Sequence, residues 1–229
     1  MHLLCALLLG SGFCAPIFSQ IENDSIPWGS KYLEDQFYLG ITYNFLLERP
    51  DQVSQRNLSY GLQMGFVKDI PIKRDRTVAL GIGLGYSVNS YYSNLRATES
   101  AGGITYDIPG EDEVFRRSKI EAHQIEMPLE FRWRSSTVDS YKFWRVYSGL
   151  RLAYVFSGTS RFVTEGEKIS FQNSDIRKLQ YGLTLSFGYN TFNLHIYYAL
   201  NPLLEDNVTL DGTDISMRPL SIGLIFYIL

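Results

Sequence analysis

Apolar side chains recur at every second residue along most of this chain, a period that extended strands satisfy and helices cannot. Between Asn57 and Phe66 the even positions are Leu58, Tyr60, Leu62, Met64 and Phe66, and the odd ones are Asn57, Ser59, Gly61, Gln63 and Gly65. Val78, Leu80, Ile82, Leu84, Tyr86 and Val88 likewise alternate with Ala79, Gly81, Gly83, Gly85 and Ser87. From Leu179 to Tyr189 the pattern returns, with Gln180, Gly182, Thr184, Ser186 and Gly188 on the second face. Weaker forms run through 37–45, 124–133, 144–156, 193–200 and 220–228, which makes eight segments. Each is close to the about 9 to 11 residues that carry a tilted strand across a bilayer. The predicted fold is therefore all-β: an eight-stranded antiparallel up-and-down transmembrane β-barrel of the bacterial outer membrane, occupying residues 36–229.

Connection lengths agree with that reading. Residues 67–76, 134–142 and 190–193 form short links, whereas 90–119, 157–177 and 201–217 form longer polar ones and 46–57 an intermediate one. With both ends of the barrel domain on the periplasmic side, this is the short-turn, long-loop alternation of outer-membrane barrels. A soluble lipocalin-like barrel has the same period with its apolar face inward. Three features oppose it. Aromatic residues gather at both ends of the apolar face, Trp133, Trp144 and Phe226 at one and Tyr60, Tyr86 and Tyr154 at the other, as interfacial girdles require. The polar face carries charges beside many glycines. The Gly-x-Trp signature of lipocalins is missing from the residues after the leader.

The first twenty residues read differently. A short apolar run from Leu3 to Leu9 is followed by small residues and Ala15-Pro16-Ile17-Phe18-Ser19-Gln20, which has the form of a secretory signal peptide over 1–20 cleaved near Ser19 or Gln20. The run is too short to span about 30 Å as a helix. Only Met1-His2 precedes it, without the usual basic residue. Cys14 follows Phe13, where a lipoprotein cleavage site wants a small residue. Both cysteines, Cys5 and Cys14, lie in this leader, so the exported chain is left without disulfides or thiolate chemistry. Residues 21–35 read as a periplasmic lead-in.

Little in the chain suggests chemistry. A net charge of −3 provides no basic footprint for nucleic acid. Gly81, Gly83 and Gly85 lie inside an alternating strand, where a phosphate loop would sit in a strand-to-helix turn, so they are read as leaving volume for large neighbours. His123 and His195 lack metal-ligand spacing, and no G-x-S-x-G occurs. His123 with Glu121 or Ser118 is read as a set of solvated rim residues. No catalytic residue, metal, cofactor or small-molecule substrate is expected. The partner implied by the fold is the lipid bilayer.

The polar face does hold one set of interest: Glu126, Glu130, Arg132, Arg145 and Arg151. A hairpin centred near residue 138 would bring Glu126 opposite Arg151, and Glu130 near Tyr147 and Arg145. Either these form a selectivity ring, or they form a structural ion-pair network filling a lumen with room for little besides side chains. The second is preferred, because unpaired charges in so dry a space are costly.

Several long strings carry a resemblance. These are Asp35-Gln36-Phe37-Tyr38-Leu39-Gly40-Ile41-Thr42-Tyr43-Asn44-Phe45, Val53-Ser54-Gln55-Arg56-Asn57-Leu58-Ser59-Tyr60-Gly61, Asn89-Ser90-Tyr91-Tyr92-Ser93-Asn94-Leu95 and Pro128-Leu129-Glu130-Phe131-Arg132-Trp133-Arg134, with the ending Gly223-Leu224-Ile225-Phe226-Tyr227-Ile228-Leu229. Through them the chain resembles the PorT/SprT family of Bacteroidetes, outer-membrane barrels of type IX secretion and gliding motility. The resemblance implies a non-enzymatic barrel needed for export of sorting-domain proteins, with other secretion-system proteins as partners. It brings no catalytic residues. The alternative is a general small barrel acting as adhesin, membrane-stability protein or narrow porin, and a porin is disfavoured because an aqueous channel takes about 16 strands.

Overall fold

The computed structural model describes residues 36–73, 77–110, 113–135 and 144–228. The leader and lead-in expected over 1–20 and 21–35 lie outside them. Every regular element among the described residues is a strand: β1 (Gln36–Leu47), β2 (Tyr60–Pro71), β3 (Val78–Ser93), β4 (Arg96–Ser100), β5 (Gly103–Asp107), β6 (Phe115–Arg134), β7 (Trp144–Thr164), β8 (Lys168–Gln172), β9 (Leu179–Tyr189), β10 (Phe192–Ala199), β11 (Thr209–Leu210), β12 (Thr213–Asp214) and β13 (Arg218–Ile228).

Eight of these close an antiparallel barrel in the order β6-β3-β2-β1-β13-β10-β9-β7, with β6 pairing back to β7. The first strand lies against the last, Ile41 opposite Leu224 and Phe45 opposite Leu220, so no edge is left in the bilayer. Alternation sets the faces. Leu62, Leu84, Leu150, Leu185 and Leu224 all point outward and are exposed, forming a belt for lipid. At the short-turn end the belt finishes in aromatic pairs: Phe37 with Phe66 (5.2 Å between ring centres), Trp144 with Tyr189 (5.4 Å) and Phe192 with Phe226 (5.5 Å). At the other end it finishes at Tyr154 and at Tyr86, whose ring lies 6.2 Å from that of Phe156. Ten residues of β6 separate Trp133 from His123, roughly 25 Å along the barrel axis at ordinary strand rise and tilt.

A two-residue link joins β9 to β10 through Asn190 and Thr191, and Asn190 takes φ 57°, a left-handed conformation that asparagine tolerates in such turns.

Two expectations need correction. The connections at 90–119 and 157–177 are in good part strand. β6 and β7 run for 20 and 21 residues, about twice what the bilayer needs, and β4 pairs β5 while β8 pairs the top of β7. The ladder continues because the inner face changes character above the membrane and still has something to bury, as described below. The register of β6 with β7 also differs. Pro128, not Glu126, stands opposite Arg151, and Glu126 stands opposite Ala153, because the register is centred between 139 and 140, one residue further along than a pairing of Glu126 with Arg151 requires.

Near the top of the belt His123 pairs with Ser157 while Gln124 pairs with Val155, which leaves Phe156 as an extra residue on β7. A bulge of this kind reverses the parity of a strand. Below it Arg145, Tyr147, Arg151, Ala153 and Val155 face inward; above it Ser160 and Phe162 do.

Candidate functional site

The interior of the barrel is built in two storeys. In the lower one, between the aromatic girdles, glycines on neighbouring strands give large polar side chains their space. A Cβ on Gly81 would sit 2.9 Å from Arg132 Cδ, and one on Gly85 would strike the Tyr38 hydroxyl.

Two charged knots fill that space. Nearest the short turns, the Asp69 carboxylate receives hydrogen bonds from both Arg132 and Arg134. Arg132 also donates from Nε to Glu130 Oε2 at 2.9 Å. Its guanidinium carbon lies 4.2 Å from the centre of the Tyr147 ring and 5.3 Å from that of Tyr227, so aromatic faces cover what the carboxylates do not. Arg145 lies buried opposite Arg134. Midway up, Glu126 accepts a hydrogen bond from the Tyr38 hydroxyl (2.8 Å) and lies 3.3 Å from Arg151. Arg151 in turn donates to Gln63 Oε1 (3.0 Å), with its guanidinium carbon 3.5 Å from the Tyr197 ring centre. His195 sits beside Ser186, Nδ1 to Oγ 2.8 Å. Arg132 is 0% exposed, Arg134 1% and Glu126 2%, values that a continuous column of water past them would not allow.

All five residues expected in the lumen are there, but not all meet as expected. Glu126 and Arg151 come together diagonally. Glu130 meets Arg132 on its own strand. The sequence reading missed Asp69 and Arg134. Asp69 continues the odd-numbered inward face of Gly61, Gln63 and Gly65, and Arg134 the even-numbered one of Glu130 and Arg132, so extending the first parity by two steps and the second by one would have found both.

The upper storey is apolar. Leu46, Tyr91, Ile120, Ala122 and Val155 from the strand tops meet Val53, Leu95, Ala97, Tyr106, Ile176, Leu203, Leu204, Val208, Leu210, Ile215 and Met217 from the outer connections in one buried cluster. Backbone pairing holds the connections on it. Leu203 donates to the Met217 carbonyl at 2.8 Å, Arg177 to that of Leu203 at 3.0 Å, and Ile176 bridges Leu204. Asn173 accepts from or donates to the Tyr106 hydroxyl and donates to Ser160 Oγ at 2.8 Å. Asp211 and Gly212, at φ 51° and 78°, make the tight turn of β11 and β12.

The rim set is divided between the two faces of β6. Ser118 points inward and donates to the Leu95 carbonyl, while Glu121 and His123 point outward. Glu121 takes hydrogen bonds from Lys119 and from Ser90 Oγ (2.8 Å), and the Tyr86 hydroxyl lies 2.7 Å from His123 Nδ1. Burial pushes the Glu121 carboxyl up, but the bonds from Lys119 and Ser90 outweigh it and hold the group below its usual range. Ser90 bonds the Glu121 carboxylate and not His123, and Ser186 bonds His195 and lies beside Tyr227, so neither is set against a histidine and carboxylate in relay order. No group of three or more metal-ligating side chains occurs among the described residues.

A closed eight-stranded barrel with a lipid-facing belt, two aromatic girdles and a filled polar lumen defines a small outer-membrane β-barrel protein. Residues 18–205 match the family described as the outer membrane protein beta-barrel domain, and the chain belongs to it. Among solved structures it is similar to Ail, the attachment invasion locus protein of Yersinia pestis, at 14% identity and a TM-score of 0.37 over 85% of this chain and 97% of that one. No curated protein sequence matches it.

Proposed function

We propose that this protein is a non-catalytic outer-membrane barrel that works by presenting a rigid recognition surface outside the cell, in the manner of an adhesin. Residues 1–20 serve as its export signal and 21–35 as a periplasmic lead-in, and the lumen charges Glu126, Glu130, Arg132, Arg145 and Arg151 serve as a structural plug. One observation carries the reading: the outer connections share a buried apolar core (Leu95, Tyr106, Ile176, Leu203, Leu204, Met217), whereas solvated loops of a structural barrel have no need of one. Such a platform fixes β4–β5, β8 and β11–β12 in position, and preorganised surfaces bind without the cost of ordering a loop. The test is attachment. Cells displaying the protein are scored for binding to surfaces and host matrix, then compared with cells in which the β4–β5 tip (Glu99 to Ile104) is replaced by a minimal turn. Reduced attachment by a barrel still folded supports the reading; unchanged attachment, or no attachment by either, removes it.

The PorT/SprT strings favour a second reading, a secretion accessory whose partners are other secretion-system proteins. Here a deletion strain should fail to export sorting-domain cargo, and a barrel lacking the β4–β5 tip should restore export if the periplasmic side is what the partners use. Normal secretion by the deletion strain leaves the surface-binding reading alone.

A further inference from the structure

Above the apolar belt, the outward face of β6, β7 and β8 turns basic. Arg117 and Lys119 on β6 face Val163 and Arg161 on β7, and Lys168 on β8 is the next neighbour of Val163. Lys119 and Arg161 are direct cross-strand partners, a position where like charges repel. Four cations here share one carboxylate, Glu121, which is engaged by Lys119 and Ser90. Arg161 has no ion-pair partner among the described residues, and its buried Nε lacks a hydrogen-bond acceptor. Glu165 and Glu167, in the turn from β7 to β8, are exposed and make no ion pair with any of the four among the described residues. Three other cations of the outer end are matched: Arg96 by Asp107 and Glu113, Arg177 by Glu205 and Asp206, Arg218 by Glu48.

Height supplies the second half of the case. Tyr86, His123 and Phe156 cluster with ring centres 6.2 to 6.3 Å apart and mark the upper edge of the belt. Lys119 lies four residues beyond His123 on β6, about 10 Å higher along the axis, which is the level of lipid head groups. Long basic side chains at that level reach down along the wall to the interface. Lys119 is buried against Glu121 and the Tyr92 ring, whereas Arg117 and Lys168 are exposed and Arg161 half-buried. Outward cations at this height and short of anions match a phosphate monoester, which guanidinium groups bind bidentately.

We propose that Arg117, Arg161 and Lys168, with Lys119 buried behind them, form a binding site for the phosphate of a phosphorylated lipid head group in the outer leaflet. The protein would then carry a fixed lipid on the β6–β7–β8 side of its wall, independent of whatever its outer end recognises.

The experiment uses the full-length barrel in phosphatidylcholine nanodiscs, with and without added diphosphoryl lipid A, and measures lipid A retained after detergent extraction and gel filtration. Retention well above the bulk fraction is expected. It should fall about five-fold for each of Arg161→Gln and Lys168→Gln, and stay unchanged for Arg177→Gln, whose guanidinium is already held by Glu205 and Asp206. Lys168 lies exposed on a peripheral strand, so its variant should fold normally; if Arg161→Gln loses heat-modified gel mobility, Arg117→Gln replaces it. Equal retention by wild type and both variants overturns the proposal, as does equal retention of enzymatically dephosphorylated lipid A. Displacement by millimolar inorganic phosphate also overturns it, by making the site one for soluble anions.

Discussion

The two storeys of this barrel follow opposite rules. Between the girdles, apolar residues face out and charged ones face in, since lipid surrounds the wall and the lumen is the one place polar groups can meet partners. Above His123 and Phe156 the polarity inverts. Ile120, Ala122 and Phe162 face in, and Lys119, Glu121 and Arg161 lie on the outward face, as in any water-soluble sheet. The strands are continuous through the change, so the solvent, and not the backbone, dictates which face is greasy. The crossover also coincides with the Phe156 bulge, which lets β7 shift its parity where the requirement changes. The boundary of the membrane is thus written on both faces of the same ladder.

The comparison can be broken most forcefully from the inside. In the lower storey Asp69→Ala removes the carboxylate that holds Arg132 and Arg134, leaving buried cations with too few anions, at a cost of about 3–5 kcal/mol. Unfolding in urea from lipid vesicles should register a loss of that size for the whole barrel. In the upper storey Leu204→Ala opens a cavity in an apolar cluster, at about 2–5 kcal/mol. That loss should be local: protease should cut the outer connections while the barrel keeps its heat-modified gel mobility. If Leu204→Ala instead destabilises the barrel as a whole, the two storeys are one cooperative unit.

From the outside the contrast concerns lipid. Leu84→Arg on the belt should cost about 2–4 kcal/mol, and the same charge at Gln172, exposed on β8, close to nothing. Membrane yield and folded fraction on unheated gels measure both. Equal losses would mean that the belt ends higher than the inversion implies. Ser93, which the sequence assigns to a polar loop, is no substitute as the neutral control: it ends β3, is buried, and its hydroxyl accepts the Leu95 amide hydrogen.

What was legible in the sequence is what parity alone can carry. Leu62 and Leu84 point outward, and Glu126 and Arg151 inward, because each position is fixed by its neighbours two residues away. The missed features depend on something longer or less regular. Asp69 fell beyond Phe66, where the visible alternation ended. The diagonal meeting of Glu126 with Arg151 depends on the centre of a hairpin, which no local spacing reports. The upper core was hidden because Leu95, Ile176, Leu203 and Leu204 come from irregular segments with no period, and only closure of the barrel brings them together. Phe156 looks like any outward residue until its partner strand shows it to be extra.

The smallest expected effect tests the boundary itself. Glu121 is the one carboxylate among the outward-facing cations just above the belt, and its folded pKa is held below the ordinary value chiefly by Lys119 and Ser90 after burial has pushed the other way. Such a group binds its proton less readily when folded than when unfolded. Its contribution is therefore complete above the ordinary glutamate range, about 4.3, and is lost as pH falls below that through the folded value. Protease resistance of the β6–β7 tops should accordingly hold from about pH 7 to about pH 5 and decline further down. Glu121→Gln should lose on the order of 1 kcal/mol at neutral pH, since Lys119 and Arg161 then repel with no anion between them, and its own decline below about pH 4 should be shallower. The difference between the two profiles isolates this residue from other carboxylates of the outer end. A parallel drop in both would mean that Glu121 is not the group that balances the wall where lipid gives way to water.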